Sequence, residues 1–303
     1  MSKIEEKAFG TECQPRPSSR EDIATSLAIC IPTKNRLADL MRCIRSIEQQ
    51  TRRPDRVIII DQSDQKTDLI SDLDIEHHYD PRIRGAAAAR NVAIHLTHED
   101  LIFFLDDDCE LYPDCVAKLL ECCRHNPDAI AVQAEIVMPS QGFSLSRLHS
   151  TIFRRGFFNN SRIKKKDRTE LRVVAGGATA FRRSLFDLEL FDERLVAHSY
   201  GEDWEFAHRA RERGSLVLAP DARLVHHASP MNRHKYEQIL KDRWGNSLYF
   251  YDKLEADKYP MNRFWRIWWM LGESLLWLRA GLGFPLLGIK TKKVPRENLS
   301  LDA

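Results

Sequence analysis

The apolar residues of this chain fall into short runs separated by stretches with helical spacing. Residues 27–31 are apolar throughout and stop at Pro32. Residues 57–60 are β-branched without exception, 75–79 form a shorter third run, 101–105 read LIFFL, and 129–134 close the series. Runs of this length suit strands buried on both faces and are too short for lone helices. Between them, Leu40, Ile44 and Ile47 mark one face of a helix over 37–50. An alanine-rich helix covers 85–96, and Pro113 opens a third helix ending at His125. Strands alternating with helices predict an α/β fold: a mostly parallel, Rossmann-like sheet flanked by helices.

Beyond residue 138 the pattern changes. Residues 139–170 hold Arg154, Arg155, Arg162, Lys164, Lys165, Lys166 and Arg168 with little periodicity, which reads as a long loop or an insertion over the site, or else as a solvated basic loop. Strand character resumes over 173–181 around Gly176 and Gly177, two small residues that let a ligand or a backbone come close. A helix starts at Gly201-Glu202-Asp203 and stops at Gly214. Short strands over 216–219 and 224–226 follow, then a polar helix over 233–253.

Residues 263–288 differ again. Phe264, Trp265, Trp268, Trp269, Trp277 and Phe284 are interrupted by Arg263, Arg266, Glu273 and Arg279. That breaks the apolar run of about 20 residues that a membrane span needs. Tryptophan with arginine on one helix suits a membrane interface, and Lys290, Lys292, Lys293 and Arg296 add charge that anionic lipid attracts. The same stretch also suits a helix packed on the domain or on a second subunit. The chain divides into a loose polar lead-in (1–25), an α/β domain (26–230) and a helical C-terminal region (231–303), with peripheral membrane contact expected through 263–296.

Composition narrows this picture. The formal charge of the 303 residues is +2, so nothing drives the chain toward nucleic acid. Its seven cysteines are odd in number and lack zinc-finger spacing, as expected for a reducing compartment. The first ten residues have no apolar core and do not read as a secretion signal. A cytoplasmic protein at the cytoplasmic face of the membrane is the expectation.

The candidate chemistry gathers where the strands end. In an extended chain Asp106 and Asp108 point the same way, and three adjacent carboxylates repel unless a cation sits among them. A divalent metal carrying phosphate oxygens meets that need; a solvated acidic turn or a helix cap is the simpler alternative. Pro32, Thr33, Asn35 and Arg36 follow the first strand, and Asp61 ends the second. Arg84, Gly85, Arg90 and Asn91 flank the alanine helix. In a parallel sheet these ends open on one edge. Together they describe a nucleoside-diphosphate pocket, with arginines for phosphate and carboxylates for a ribose and a metal.

PTKNR at 32–36, IIIDQSD at 58–64, RGAAAARN at 84–91, FLDDD at 104–108, FDE at 191–193, GEDWEF at 201–206 and LVHH at 224–227 resemble the family 2 glycosyltransferases. The resemblance covers residues 26–230. It implies the GT-A fold, a nucleotide-diphosphate sugar donor, Mg²⁺ or Mn²⁺, and inverting transfer to a hydroxyl acceptor. Asp61 is implied at the base or ribose, Asp106 and Asp107 near the ribose and donor sugar, and Asp108 at the metal. His226, or its neighbour His227, supplies a further metal contact. Asp203 is implied as the catalytic base with Glu202 beside it positioning the acceptor, and Gly176 and Gly177 border the sugar and acceptor. Asp242-Arg243-Trp244 gives the Arg-Trp pair of processive synthases, but Gln is missing before it and spans are absent. The expectation is therefore single addition to a glycan or lipid-linked acceptor.

Rival readings are weaker. A haloacid-dehalogenase phosphatase wants threonine where Glu110 stands, and a dinucleotide oxidoreductase wants a glycine-rich turn where Pro32-Thr33-Lys34-Asn35 stands. A nucleotidyl- or phosphosugar-processing enzyme, or a non-catalytic membrane-associated protein on the same fold, are the alternatives left.

Overall fold

The computed structural model describes residues 25–66, 68–137, 145–195, 201–229 and 236–281. Ten strands form one sheet: β1 (Leu27–Thr33), β2 (Arg56–Asp61), β3 (Ile75–Tyr79), β4 (Leu101–Leu105), β5 (Cys109–Leu111), β6 (Ala129–Val137), β7 (Arg162–Lys164), β8 (Thr169–Leu171), β9 (Ala178–Arg182) and β10 (Ser215–His226). The order across the sheet is β3-β2-β1-β4-β9-β6-β10-β8-β7, with β5 also pairing β10. β3, β2, β1 and β4 are mutually parallel, as are β6 and β10, while β9 runs antiparallel between β4 and β6. This is the mostly parallel α/β sheet that the alternating pattern predicts.

Because side chains alternate along a strand, each central strand feeds two cores. Leu27, Ile29 and Ile31 pack on one face with Leu40, Ile44 and Ile47 of α1 (Leu37–Glu48) and with α3 (Cys115–His125). Ala28 and Cys30 face the other side, with Ala87, Ala93 and Ile94 of α2 (Ala86–Leu96) and Phe206 of α5 (Glu202–Ala210). Five phenylalanines fill that second core: Phe206 lies 4.1 Å from Phe191, and Phe104 sits 5.6 Å from Phe191, edge to face. A third cluster joins α6 (Tyr236–Lys253) to α7 (Pro260–Arg279) through Trp244, Trp269 and Trp277, with Phe158 among them.

The structure corrects several boundaries. Within 139–170, residues 145–170 hold α4 (Leu145–Phe153), a 3₁₀ turn at Gly156–Phe158, and strands β7 and β8. Three of its bases are ion-paired, Arg162 with Glu135 at 2.8 Å, Lys165 with Glu170 at 2.6 Å and Arg168 with Asp128 at 2.8 Å, so this is an ordered insertion and not a solvated loop. The two strands expected over 216–226 are one, β10, whose register slips between Ala219 and Arg223. Pro220, which cannot donate to a ladder, lies in that slip. The three-residue β5 carries no periodicity of its own and was not expected. The lead-in to residue 24 and the tail from 282 lie outside the described residues.

Phe206 is fully buried among Phe181, Phe186 and Phe191. Phe206→Ala is expected to lower unfolding free energy by about 3–5 kcal/mol in chemical denaturation. A loss below about 1 kcal/mol would show that this core does not anchor α5.

Candidate active site

β1, β2 and β4 run parallel and side by side, so Thr33, Asp61 and the acids after Leu105 emerge at one edge. A cleft of about 540 Å³ opens there, lined by Thr33, Asn35, Arg36, Asp61, Ser63 and Asp64 among others. Asp61 is buried; one oxygen lies 3.0 Å from His77 Nε2 and the other accepts the Ser63 amide at 2.9 Å. Asn35 adopts a left-handed backbone, φ 53°. Its amide N–H donates to Ser63 Oγ at 2.7 Å and its side chain pairs with Asp64 in both directions, at 2.9 and 3.0 Å. The loops after β1 and β2 are thereby clasped into one wall.

The aspartate triplet does not continue the strand. β4 ends at Leu105, and the Cys109 amide closes a turn on the Asp106 carbonyl at 3.1 Å. The expected alternation therefore gives way to three different environments. Asp107 turns inward, accepting from Thr33 Oγ1 at 2.8 Å and from Arg36 at 3.0 Å; burial pushes its carboxyl up to about 6 against those partners. Asp106 is the open one, with its side chain 37% exposed and Arg90 at 3.4 Å. Asp108 is buried between His226 Nε2 and the Ser229 amide, both at 2.9 Å. Burial opposes its ionisation, but those bonds outweigh it and hold the carboxyl down at about 2.

The same contacts separate the two histidines. His226, the last residue of β10, faces Asp108. His227 sends its ring to Glu110 at 2.8 Å, and only its backbone amide meets Asp108, at the carbonyl (3.0 Å). His227 is therefore not placed as a ligand beside Asp108.

Arg90, on α2, is buried and reaches Glu202 and Asp106 with its two terminal nitrogens. Its guanidinium also lies 5.5 Å from the Phe191 ring centre and 6.0 Å from that of Phe104. Glu202 and Asp203 open α5, where the helix dipole favours negative charge. Asp203 accepts the Trp204 amide at 2.9 Å and faces the Gly176 amide at 3.5 Å. With Asp106, Glu202 and Asp203 crowded around one cation, burial and mutual repulsion push Glu202 up to about 8; burial also raises Asp203. Gly176 and Gly177 are needed for this packing. A Cβ at Gly176 would sit 2.9 Å from Arg90 Nη1, and one at Gly177 only 2.0 Å from Asp106 Cγ. The close approach foreseen for these glycines is made by the site's own side chains.

Asp108, Cys109 and His226 each offer one atom within 4.8 Å of the others. The Cys109 thiol donates toward the Gly177 carbonyl at 3.7 Å, and burial lifts its pKa well above the usual range. Beside it stand a carboxylate and an imidazole, the carboxylate being a donor of the kind that suits Mg²⁺ or Mn²⁺.

A family model described as glycosyl transferase family 2 matches residues 28–188, more than half of the chain. The chain belongs to glycosyl transferase family 2. Among curated relatives, a glucosyl-dolichyl phosphate glucuronosyltransferase of Haloferax volcanii is 27% identical over 118 residues, 37% of this chain and 38% of that protein. An uncharacterised glycosyltransferase of Rickettsia felis is 30% identical over 172 residues, 54% of this chain and 27% of that protein. The chain thus spans well under half the length of either. Among solved structures, GalNAc-T7 with UDP, GalNAc and Mn²⁺ superposes with TM-score 0.56 at 19% identity, covering 73% of this chain and 47% of that one. S. aureus TarS 1–349 with UDP gives 0.52 at 16%, covering 72% and 63%. At these identities the likeness is one of fold, the GT-A fold.

In this family 2 chain most of the expected residues share the rim, and a few do not. Pro32 is part of β1 and half-buried, Gly85 precedes α2, and Arg84 is exposed on the loop before it. Asn91 is buried and spends its amide on the Phe191 backbone at 3.0 Å and on Glu193 at 2.8 Å; it anchors the FDE segment and does not face the cleft. Two residues of the site went unread. His77 is polar in a short strand, the one available signal, and it holds Asp61. Lys253 looked like any charge on a polar helix, yet it bridges Asp192 (2.7 Å) and the buried Glu205 (2.6 Å), tying α6 to α5.

Glu202 binds a proton in the folded state up to about pH 8, whereas an unfolded glutamate releases it near about 4.3. The folded state therefore loses stability as pH rises from 5 to 8. Denaturation at a series of pH values should show wild type falling relative to Glu202→Gln across that window; parallel curves would refute the burial argument.

Proposed function

We propose that this chain is an inverting, metal-dependent glycosyltransferase that moves a sugar from a nucleotide-diphosphate sugar to a hydroxyl acceptor. The observation that carries the reading is the convergence of Asp106, Asp203 and Glu202 on Arg90 and Gly176–Gly177, at the rim where Asp108 meets His226. In this reading the cleft beside Asp61 takes the nucleoside, and Thr33, Asn35 and Arg36 form its wall. Asp108 and His226 would hold Mg²⁺ or Mn²⁺, which would supply positive charge against that growing on the departing diphosphate. Asp106, the exposed acid, faces the donor sugar. Asp203 takes the proton from the acceptor hydroxyl as that oxygen attacks the anomeric carbon. Its raised pKa suits the task, since a stronger base accepts that proton more readily. Glu202, held by Arg90, positions the acceptor.

The donor class is supported by the UDP bound in the solved structures of the same fold, and the metal by the Mn²⁺ in one of them. A lipid-linked acceptor is in keeping with the dolichyl phosphate named for the archaeal relative. No helix among the described residues is long and apolar enough to cross a membrane, so we assign contact with the cytoplasmic face to the helical C-terminal region lying on the bilayer.

Calorimetry with UDP, GDP and dTDP, each with and without Mn²⁺, should show binding only with metal; tight metal-independent binding removes Asp108 and His226 from that role. Asp203→Asn should retain donor binding while transfer falls by about 10²–10⁴-fold. Near-wild-type turnover in that variant would eliminate Asp203 as the base.

A further inference from the structure

Helix α7 is amphipathic the wrong way round for a protein surface. From Phe264 to Leu278 every exposed side chain is apolar: Phe264, Ile267, Leu271, Leu275 and Leu278, each between 42% and 69% exposed. The polar residues lie inside, with Glu273 and Ser274 buried and Glu273 paired with Arg243 of α6. The spacing of three and four residues makes one stripe along the helix.

The stripe extends onto α4, which composition alone did not mark. α4 and α7 are fused side by side: a Cβ at Gly272 would overlap Phe153 at 2.3 Å, His149 Nε2 lies 2.9 Å from the Gly272 carbonyl, and Trp268 donates to the Ile152 carbonyl at 2.9 Å. Leu148 and Ile152 of α4 are 43% and 41% exposed. A monomer seldom leaves so large a contiguous apolar face in water.

Charge decides what covers it. Neither α4 nor α7 has an exposed acidic side chain, whereas Arg263 and Arg279 of α7 are exposed and Arg154 and Arg155 follow α4; the turn before α7 exposes Glu255 and Asp257 beside Lys258. The sequence past Gly281 adds Lys290, Lys292, Lys293 and Arg296. Two copies meeting through this face would bring like charges together, while an anionic bilayer satisfies both the stripe and its rim.

We infer that the joint α4–α7 face docks on an anionic membrane surface, and that it does so on the acceptor side of the site. Arg154, directly after α4, lies over the Trp204 ring at 5.2 Å, and Trp204 follows Asp203. Docking there would hold Asp203 near the lipid surface, so the acceptor class is an amphiphile that presents its hydroxyl at the interface. This rests on the proposed role of Asp203; the docking itself does not.

Flotation of the full chain with phosphatidylglycerol–phosphatidylcholine vesicles and with phosphatidylcholine alone tests it, alongside Ile267→Asp and Leu148→Asp. Both substitutions are at exposed positions, and thermal unfolding checks that they fold. Wild type should float with anionic vesicles and detach in about 0.5 M NaCl. Each variant should bind about tenfold more weakly or worse. Unchanged flotation of Leu148→Asp overturns the α4 half. Equal binding to neutral vesicles overturns the anionic surface, and a dimer in light scattering that Ile267→Asp dissociates overturns the bilayer as occupant. UDP calorimetry on the same samples separates the two readings: vesicle binding without nucleotide binding leaves the docking and removes the transferase site, and the converse does the reverse.

Discussion

A guanidinium buried at the head of a sheet is the constraint on which the rest of this architecture depends. Arg90 cannot shed its charge, and it is buried, so acidic side chains must come to it. Glu202 and Asp106 do so from positions 112 and 16 residues away in sequence. Phe104 and Phe191 lie against the guanidinium, Gly176 leaves room for it, and Gly177 leaves room for its partner Asp106. The cost of one buried cation thus dictates where α5 begins, which acid faces outward, and why residues 176 and 177 have no side chains.

The sheet makes that meeting possible. Three parallel strands deliver Thr33, Asp61 and the aspartate turn to one edge, and the reversed β9 places Gly177 against Asp106. β10 returns to the same edge with His226. Hydrogen bonds then assign each acid its own state: Asp107 is internal and ties β1 to the turn, Asp108 is held ionised, and Asp106 stays partly exposed. Three neighbouring residues of one type thereby become three different groups.

The helical appendage is coupled to this edge through charge as well as apolar packing. Lys253 reaches from α6 to Asp192 and Glu205, so the segment carrying FDE, the helix carrying Asp203 and the appendage share one ion network. Desolvated pairs of this kind hold geometry even where they add little net stability. A surface on α4 and α7 is in this way mechanically continuous with the proposed base.

Much of this was legible in the chain itself. The strand runs, the α/β order and the acids at strand ends follow from local periodicity, because burial on two faces writes itself into consecutive residues. The motif order then pointed to the family, and the family match agrees. Other features exist only through space. Nothing local distinguishes His226 from His227, or Asp106 from Asp107; partners contributed by distant elements do that. Nor does sequence show that Asn91 serves the FDE backbone, that the basic insertion is ordered by its own ion pairs, or that the apolar stripe of α7 faces outward beside α4. Periodicity reports that a helix has two unlike faces, but only the packed structure decides which of them meets the protein and which is left for something else.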